Sequence, residues 1–293
     1  MQLIFNALIA GSLAALIAGG LSLVYGTLGV FNMALGQMVL FGGYITWFLH
    51  IQMEIPLLMS ICGGALFGAL LAWFTFEVFV NPFYKRHRFL PLVTTIALSM
   101  ILDGLILIIF KSSPKGILQG LKNSVEIFGA IISTEQIALI AFTILILCSF
   151  AYVLHSTSIG RKIRAVVQHP QAAMSLGIRS PQLHRLIFIS SGVLASFGGI
   201  FIGIDQNLSP VLGFPITIKA YAAIIAGGRG HFWGAIICAY LIALIEQLVV
   251  GIPLLPGGNY IPAGYQHSVA LFFIIVFLIF KPTGLFCSRL RTA

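Results

Sequence analysis

The residues in this sequence able to do polar chemistry are few, and their surroundings are apolar. Seven acids occur, Glu54, Glu77, Asp103, Glu126, Glu135, Asp205 and Glu246, and only Asp103 and Glu246 fall well inside apolar runs. An ionised carboxylate in a membrane helix costs about 2 to 3 kcal/mol at the centre and less toward the ends. One reading therefore puts Asp103 and Glu246 on a polar translocation path or a proton relay, and the other makes each a hydrogen-bonded group that fixes helix packing. Asn32 and Gln37 are neutral amides set among Gly26, Gly29 and Gly36, which punctuate a turn between two apolar runs. Amides there can line a path without the cost of charge, or they can cap the ends of a broken helix. Asp205, Gln206 and Asn207, ahead of Ser209-Pro210, suit turn chemistry.

Other chemistries lack their residues. There is no GxxxxGK[ST] loop to cradle a nucleotide's phosphates, so the chain does not hydrolyse ATP by itself. A GxSxG elbow and an HExxH pair are also absent. Cys62, Cys148, Cys238 and Cys287 show no CxxC spacing and read as small buried hydrophobes, so neither a metal nor any other cofactor is expected. A membrane-embedded enzyme would need a constellation assembled by the fold alone.

One polar stretch, residues 156–185, carries a second kind of signal. Gly160 to Gln168 is a basic, helix-compatible run containing Arg161 and Arg164, and a new segment then starts at His169-Pro170. Pro170 suits the first helical position and Gly177 the residue after the last turn, which frames a helix of about two turns. Such a short helix is marginal alone in water and needs a surface to stabilise it. Gln171, Ala172 and Ala173 begin it, and the two alanines leave no bulk on one face, so a neighbouring protein could approach closely. The alternative is an amphipathic helix lying on the bilayer, although its apolar face would be small.

The elements that must hold these residues follow from composition. Of 293 residues, 59% are hydrophobic and 8% charged, and the mean hydropathy is +1.06, whereas soluble domains run at roughly a quarter charged. The chain is an integral membrane protein, and a soluble catalytic domain, a disordered chain and a disulfide scaffold are excluded. Hydropathy places spans at 3–25, 33–49, 56–80, 89–110, 135–154, 186–204, 216–228, 231–250 and 268–280, which predicts an all-α, polytopic bundle of about nine crossings forming one domain over 1–293. The first run lacks a basic n-region and a small-residue cleavage site, and reads as a retained span. Gly227 to Gly230 leaves a re-entrant hairpin open for 216–250. The many glycines inside spans read as close helix contacts.

The net charge of +9 would suggest nucleic acid in a soluble protein, but here basic residues are topology signals, and no nucleic-acid partner is expected. With nine crossings, twelve of the sixteen fall on one side: Lys85, Arg86 and Arg88, then Arg161, Lys162, Arg164, Arg179 and Arg185, then Arg229, then Lys281, Arg289 and Arg291. Lys111, Lys115 and Lys122 fall on the other, and Lys219 sits near the outer end of the seventh span. The N-terminus is therefore expected outside and the C-terminus inside, with 111–135 and 251–267 as turn-rich outer caps.

Four ordered segments resemble the branched-chain amino-acid permease family of ABC importers. Gly160-Arg161 to Ala165, followed by Gln171 to Ile178, is similar to its cytoplasmic coupling motif. Tyr25 to Gln37 resembles its inner turn, Lys219 to Gly228 with Gly234-Ala235 its glycine-rich segment, and Lys281 to Leu285 its closing segment. The family's usual His and Glu of the inner turn are Leu35 and Gln37 here, and its coupling acid is Gln171. The resemblance implies a multi-pass inner-membrane permease, embedded in lipid, that takes a branched-chain amino acid, urea, a short amide or a related small polar solute from a periplasmic substrate-binding protein. It implies pairing with a second homologous permease subunit and two cytoplasmic ATPase subunits. Closure of the ATPases would reach the spans through Arg161, Arg164, Gln171, Ala172, Ala173 and Gly177; on the path reading of the polar residues above, Asn32, Gln37, Asp103 and Glu246 would line the solute path. A stand-alone channel or secondary transporter for a small neutral solute would explain the bundle and its polar groups, but not the framed helix.

Overall fold

A computed structural model describes residues 1–293 apart from 85, 86, 88, 119–123, 128, 169, 179, 229, 252–264, 281–283 and 287–293. The expectations resting on Lys85, Arg86, Arg88, Lys122, Arg179, Arg229, Lys281, Arg289, Arg291 and most of the 251–267 cap therefore lie outside the described residues.

The apolar runs are rich in residues that lose little rotamer freedom in a helix, and they form the long helices: α1 (Gln2–Leu28), α2 (Leu35–Trp47), α3 (Leu57–Thr75), α5 (Leu90–Phe110), α6 (Thr134–Ser156), α9 (Ser180–Asp205), α10 (Gly213–Gly227), α11 (Phe232–Gly251) and α12 (Gln266–Phe280). Short helices α4 (Asn81–Tyr84), α7 (Ser158–Gln168) and α8 (Pro170–Ser175) join them. Proline falls in first turns, as at Pro91 and Pro215, where its missing N–H costs nothing.

Each of the nine predicted runs holds a helix, and among the described residues seven helical segments are long and apolar enough to cross a membrane. The two that fall short are α2, which follows a break and carries Gly36 and Gln37, and α12, with 15 residues. Within the 111–135 cap the structure adds a feature that the turn-rich composition did not specify, a hairpin of β1 (Ser124–Ile127) and β2 (Ala130–Ser133). Ser133 then caps α6 reciprocally with Gln136.

The bundle has an inside and an outside. The most apolar stretches of α1 and α9 are 83% and 72% buried, whereas those of α3, α5 and α6 are 22%, 28% and 17% buried. Apolar side chains such as Leu58, Met100 and Ile108 face outward, as lipid contact requires. The inner helices approach closely: a Cβ on Gly42 would lie 2.6 Å from the Ser196 Cα, so α2 meets α9 backbone to backbone there.

The two ends of the bundle differ. At one end Gln2 Nε2 donates to the Ile131 carbonyl at 3.1 Å, Gln136 Nε2 donates to Asp205 at 2.8 Å, and Lys115 pairs with Leu208, which gathers the start of α1, the end of α9 and the hairpin. At the other end, Leu285 N–H donates to the Ala226 carbonyl at 2.8 Å, and α7 and α8 pack beneath the bundle.

Candidate functional site

Between α1 and α2 the chain is not helical, and past the exposed Gly29 it turns inward. Gly29 ends α1 at φ 64°, and Val30, Asn32 and Ala34 are at most 2% exposed. Irregular backbone at membrane depth survives only where protein satisfies its polar groups. Here Thr95 of α5 accepts from the Met33 N–H at 3.2 Å, the Asn32 carboxamide oxygen accepts from the Ala34 N–H at 3.1 Å, and Thr217 of α10 accepts from the Gly36 N–H at 3.0 Å. Asn32 thus closes a local turn just ahead of α2, whose N-cap Ala34 makes no side-chain cap bond. Thr95 and Thr217 were not singled out by sequence, because nothing local to either marks a partner 62 or 181 residues away.

Gln37 points into the interior and is fully buried. Its Nε2 donates to Asp103 Oδ1 at 3.0 Å, so two residues read separately from sequence form one group linking α2 and α5. This gives a reason for the departure at position 37: a glutamate there would set two carboxylates in contact, whereas an amide supplies the donor that Asp103 accepts. The Nδ2 of Asn32 and the Oε1 of Gln37 are buried and have no hydrogen-bond partner among the described residues. A buried polar atom left unpaired costs about 1–3 kcal/mol.

Glu246 belongs elsewhere. It is 2% exposed on α11, and the Lys219 ammonium of α10 donates to its Oε2 as an ion pair. The pair lines a cavity of about 450 Å³ with Ala10, Leu13, Ile202 and Ile242. Asn32, Gln37 and Asp103 are not among the residues lining it. The four candidate path residues therefore fall into two groups, one at the break and one in the cavity. Lys219 joins the second, a role that its place near the end of a predicted span did not reveal.

Within 156–185, α7 and α8 lie between the end of α6 and the first turns of α9. The Arg164 guanidinium donates to the Leu154 carbonyl and, at 3.3 Å, to that of His155; Arg161 donates to Ser156 at 3.5 Å. Both arginines thus cap the open carbonyls at the end of α6, where positive charge also suits the helix dipole. α8 begins at Pro170, and Gly177 closes it at φ 79°, with its N–H on the Met174 carbonyl at 3.0 Å. The backbone of Gln171 lies in α8, and its side chain is outside the described residues. The two alanines part company: Ala172 is exposed, whereas Ala173 is 2% exposed and packed in the core. Approach by a partner is open at Ala172 and at Leu176, which is 82% exposed, but not at Ala173, because that side of α8 already rests on the bundle. A cavity of about 310 Å³ opens nearby, lined by Gly26, His155, Gly160, Arg164 and His231.

Comparison with known proteins gives consistent results. The family model described as "Branched-chain amino acid transport system / permease component" matches residues 3–280. The chain is 27% identical to the high-affinity branched-chain amino acid transport system permease protein BraD of Pseudomonas aeruginosa, over 97% of this chain and 95% of that one. It is 26% identical to the corresponding LivH of Escherichia coli, over 97% and 94%. Among solved structures, PsaBC from Streptococcus pneumoniae in complex with Fab has a similar fold, with a TM-score of 0.53 at 13% identity, covering 97% of this chain and 93% of that one.

Proposed function

Since the chain belongs to the family of permease components of branched-chain amino acid transport systems, we propose that it is the membrane-spanning subunit of an ABC importer for branched-chain amino acids. It is a multi-pass protein of the cell inner membrane. The observation that carries this reading is the family match over nearly the whole chain, joined to a buried helix break whose backbone is held by side chains of α5 and α10. A stand-alone channel or secondary transporter is the weaker reading, since the relatives matched end to end are transport-system permease proteins.

In detail, the reading has nine crossings, with the hairpin end outside and the α7 end in the cytoplasm, as the twelve basic residues require. It has no catalytic step of its own. Two ATPase subunits supply the energy, a second permease subunit completes the membrane unit, and a periplasmic binding protein delivers solute at the hairpin end. α8 transmits ATPase closure through its exposed face at Ala172 and Leu176, and Arg161 and Arg164 hold α7 against α6 so that the movement reaches the spans. The solute passes the cavity at Lys219–Glu246 and then the break at Asn32, Gln37 and Asp103. Deletion of the gene should abolish high-affinity leucine uptake by cells, and a plasmid copy should restore it. Unchanged uptake in the deletion strain would refute the assignment.

A further inference from the structure

The Lys219–Glu246 pair is an expensive feature in a membrane helix bundle. Burying two ions costs several kcal/mol each in desolvation, and apolar residues of similar size are often at least as stabilising. Glu246 is nonetheless 2% exposed and Lys219 only 22% exposed, on adjacent helices, and both line the 450 Å³ cavity. That volume lies within the range of small-molecule sites, about 300–1,000 Å³. The rest of the wall is largely aliphatic, with Leu13, Ile202, Ile242 and Leu271 contributed by four helices, and Gln206 and Gln247 are the other polar residues on it. The site therefore offers one cation, one anion and an apolar surface side by side, with no net charge.

We propose that this cavity is a solute-binding station at which the ion pair recognises both charged ends of an α-amino acid. The inference rests on the import function above and adds the site and its chemistry. The solute carboxylate takes the Lys219 ammonium, the solute ammonium takes the Glu246 carboxylate, and its apolar side chain lies on the aliphatic wall. Each protein ion exchanges one partner for another of the same sign, so no charge is left uncompensated when solute enters or leaves, a state that would be costly at this depth. A solute carrying a single charge would instead strand one of the two protein ions. The pair thus selects zwitterions over amines and carboxylic acids with the same side chain, as a site with committed polar groups does.

The test uses the assembled importer in proteoliposomes, with labelled leucine. The charge-exchanged variant Lys219→Glu with Glu246→Lys restores an ion pair but reverses its polarity against a fixed apolar wall. It should assemble in the membrane to the level of the unaltered complex, while leucine uptake falls at least tenfold. Uptake within twofold of normal would show the pair to be structural only and overturn the inference. A second arm does not depend on folding of that variant. With Cys62, Cys148, Cys238 and Cys287 replaced by serine so that no native thiol contributes, a Gln247→Cys substitution is labelled with a maleimide, and millimolar leucine should slow labelling at least fivefold, whereas 4-methylpentanoate and 3-methylbutylamine should not. Equal protection by either analogue, or none by leucine, overturns the inference. If the unaltered complex carries neither leucine, isoleucine nor valine, the importer assignment itself fails, and that result is distinct from either of the others.

Discussion

The bond from Gln37 to Asp103 joins α2, which begins at the helix break, to α5, and its removal can be costed from the geometry. At 3.0 Å between Nε2 and Oδ1 it is a well-formed bond to a carboxylate, a class that contributes about 1.5–3 kcal/mol. Gln37→Met removes the amide with little change in volume and leaves Asp103 without this donor. Because Asp103 is half-buried rather than sealed in the core, the cost should fall near the lower end, about 1.5 kcal/mol. Asp103→Leu leaves the Gln37 amide fully buried, with its Oε1 already unpaired, and should cost about 2 kcal/mol. The double variant replaces both partners by apolar groups and should lie within about 1 kcal/mol of the native protein. The coupling between the two sites is then at least about 2.5 kcal/mol, or roughly 70-fold in the unfolding equilibrium constant. Equilibrium denaturation in mixed micelles would measure it, with uptake assayed in parallel. A coupling below about 0.5 kcal/mol would refute the claim that this bond holds the two helices together. Given the coupling, a double variant that regains stability but not uptake places the amide on the solute path, and one that regains both reduces it to a positioning group.

Two further outcomes follow from other parts of the molecule. A reporter inserted at Gly129, in the hairpin turn, should read as extracytoplasmic and one at Gly177 as cytoplasmic, and the reverse pattern would overturn the orientation drawn from basic residues. On α8, Ala172→Arg should cut ATP-driven uptake at least tenfold while leaving the amount of permease in the membrane unchanged, whereas Ala173→Arg, which forces a charge into a site 2% exposed, should remove the folded protein from the membrane; equal effects of the two would contradict the inward placement of Ala173.

What the sequence made legible was local. Hydropathy marks the long helices because a membrane span needs a continuous apolar run, and Pro170 and Gly177 mark α8 because one suits the first turn and the other takes the positive φ that ends it. Gly29 with Asn32 likewise marks the break. Partners were not legible. Asp103 stood out as an intramembrane acid, but its donor lies 66 residues away on another helix, and the ion pair of Lys219 with Glu246 spans 27 residues across two helices. The inward turn of Ala173 depends on how α8 rests on α9, and adjacent identical residues carry no sign of that. The arginines of α7 advertised a basic surface, but their geometry caps α6, because an open helix end is the nearest set of acceptors.

The central claim is that this chain forms the path of an ATP-driven importer, and accumulation tests it most directly. The complete complex, reconstituted with its binding protein outside and ATP within the vesicle lumen, should concentrate labelled leucine above its external level. That accumulation should vanish when ATP is replaced by a non-hydrolysable analogue. Equilibration of leucine to the external level regardless of ATP would identify a passive channel instead and contradict the account.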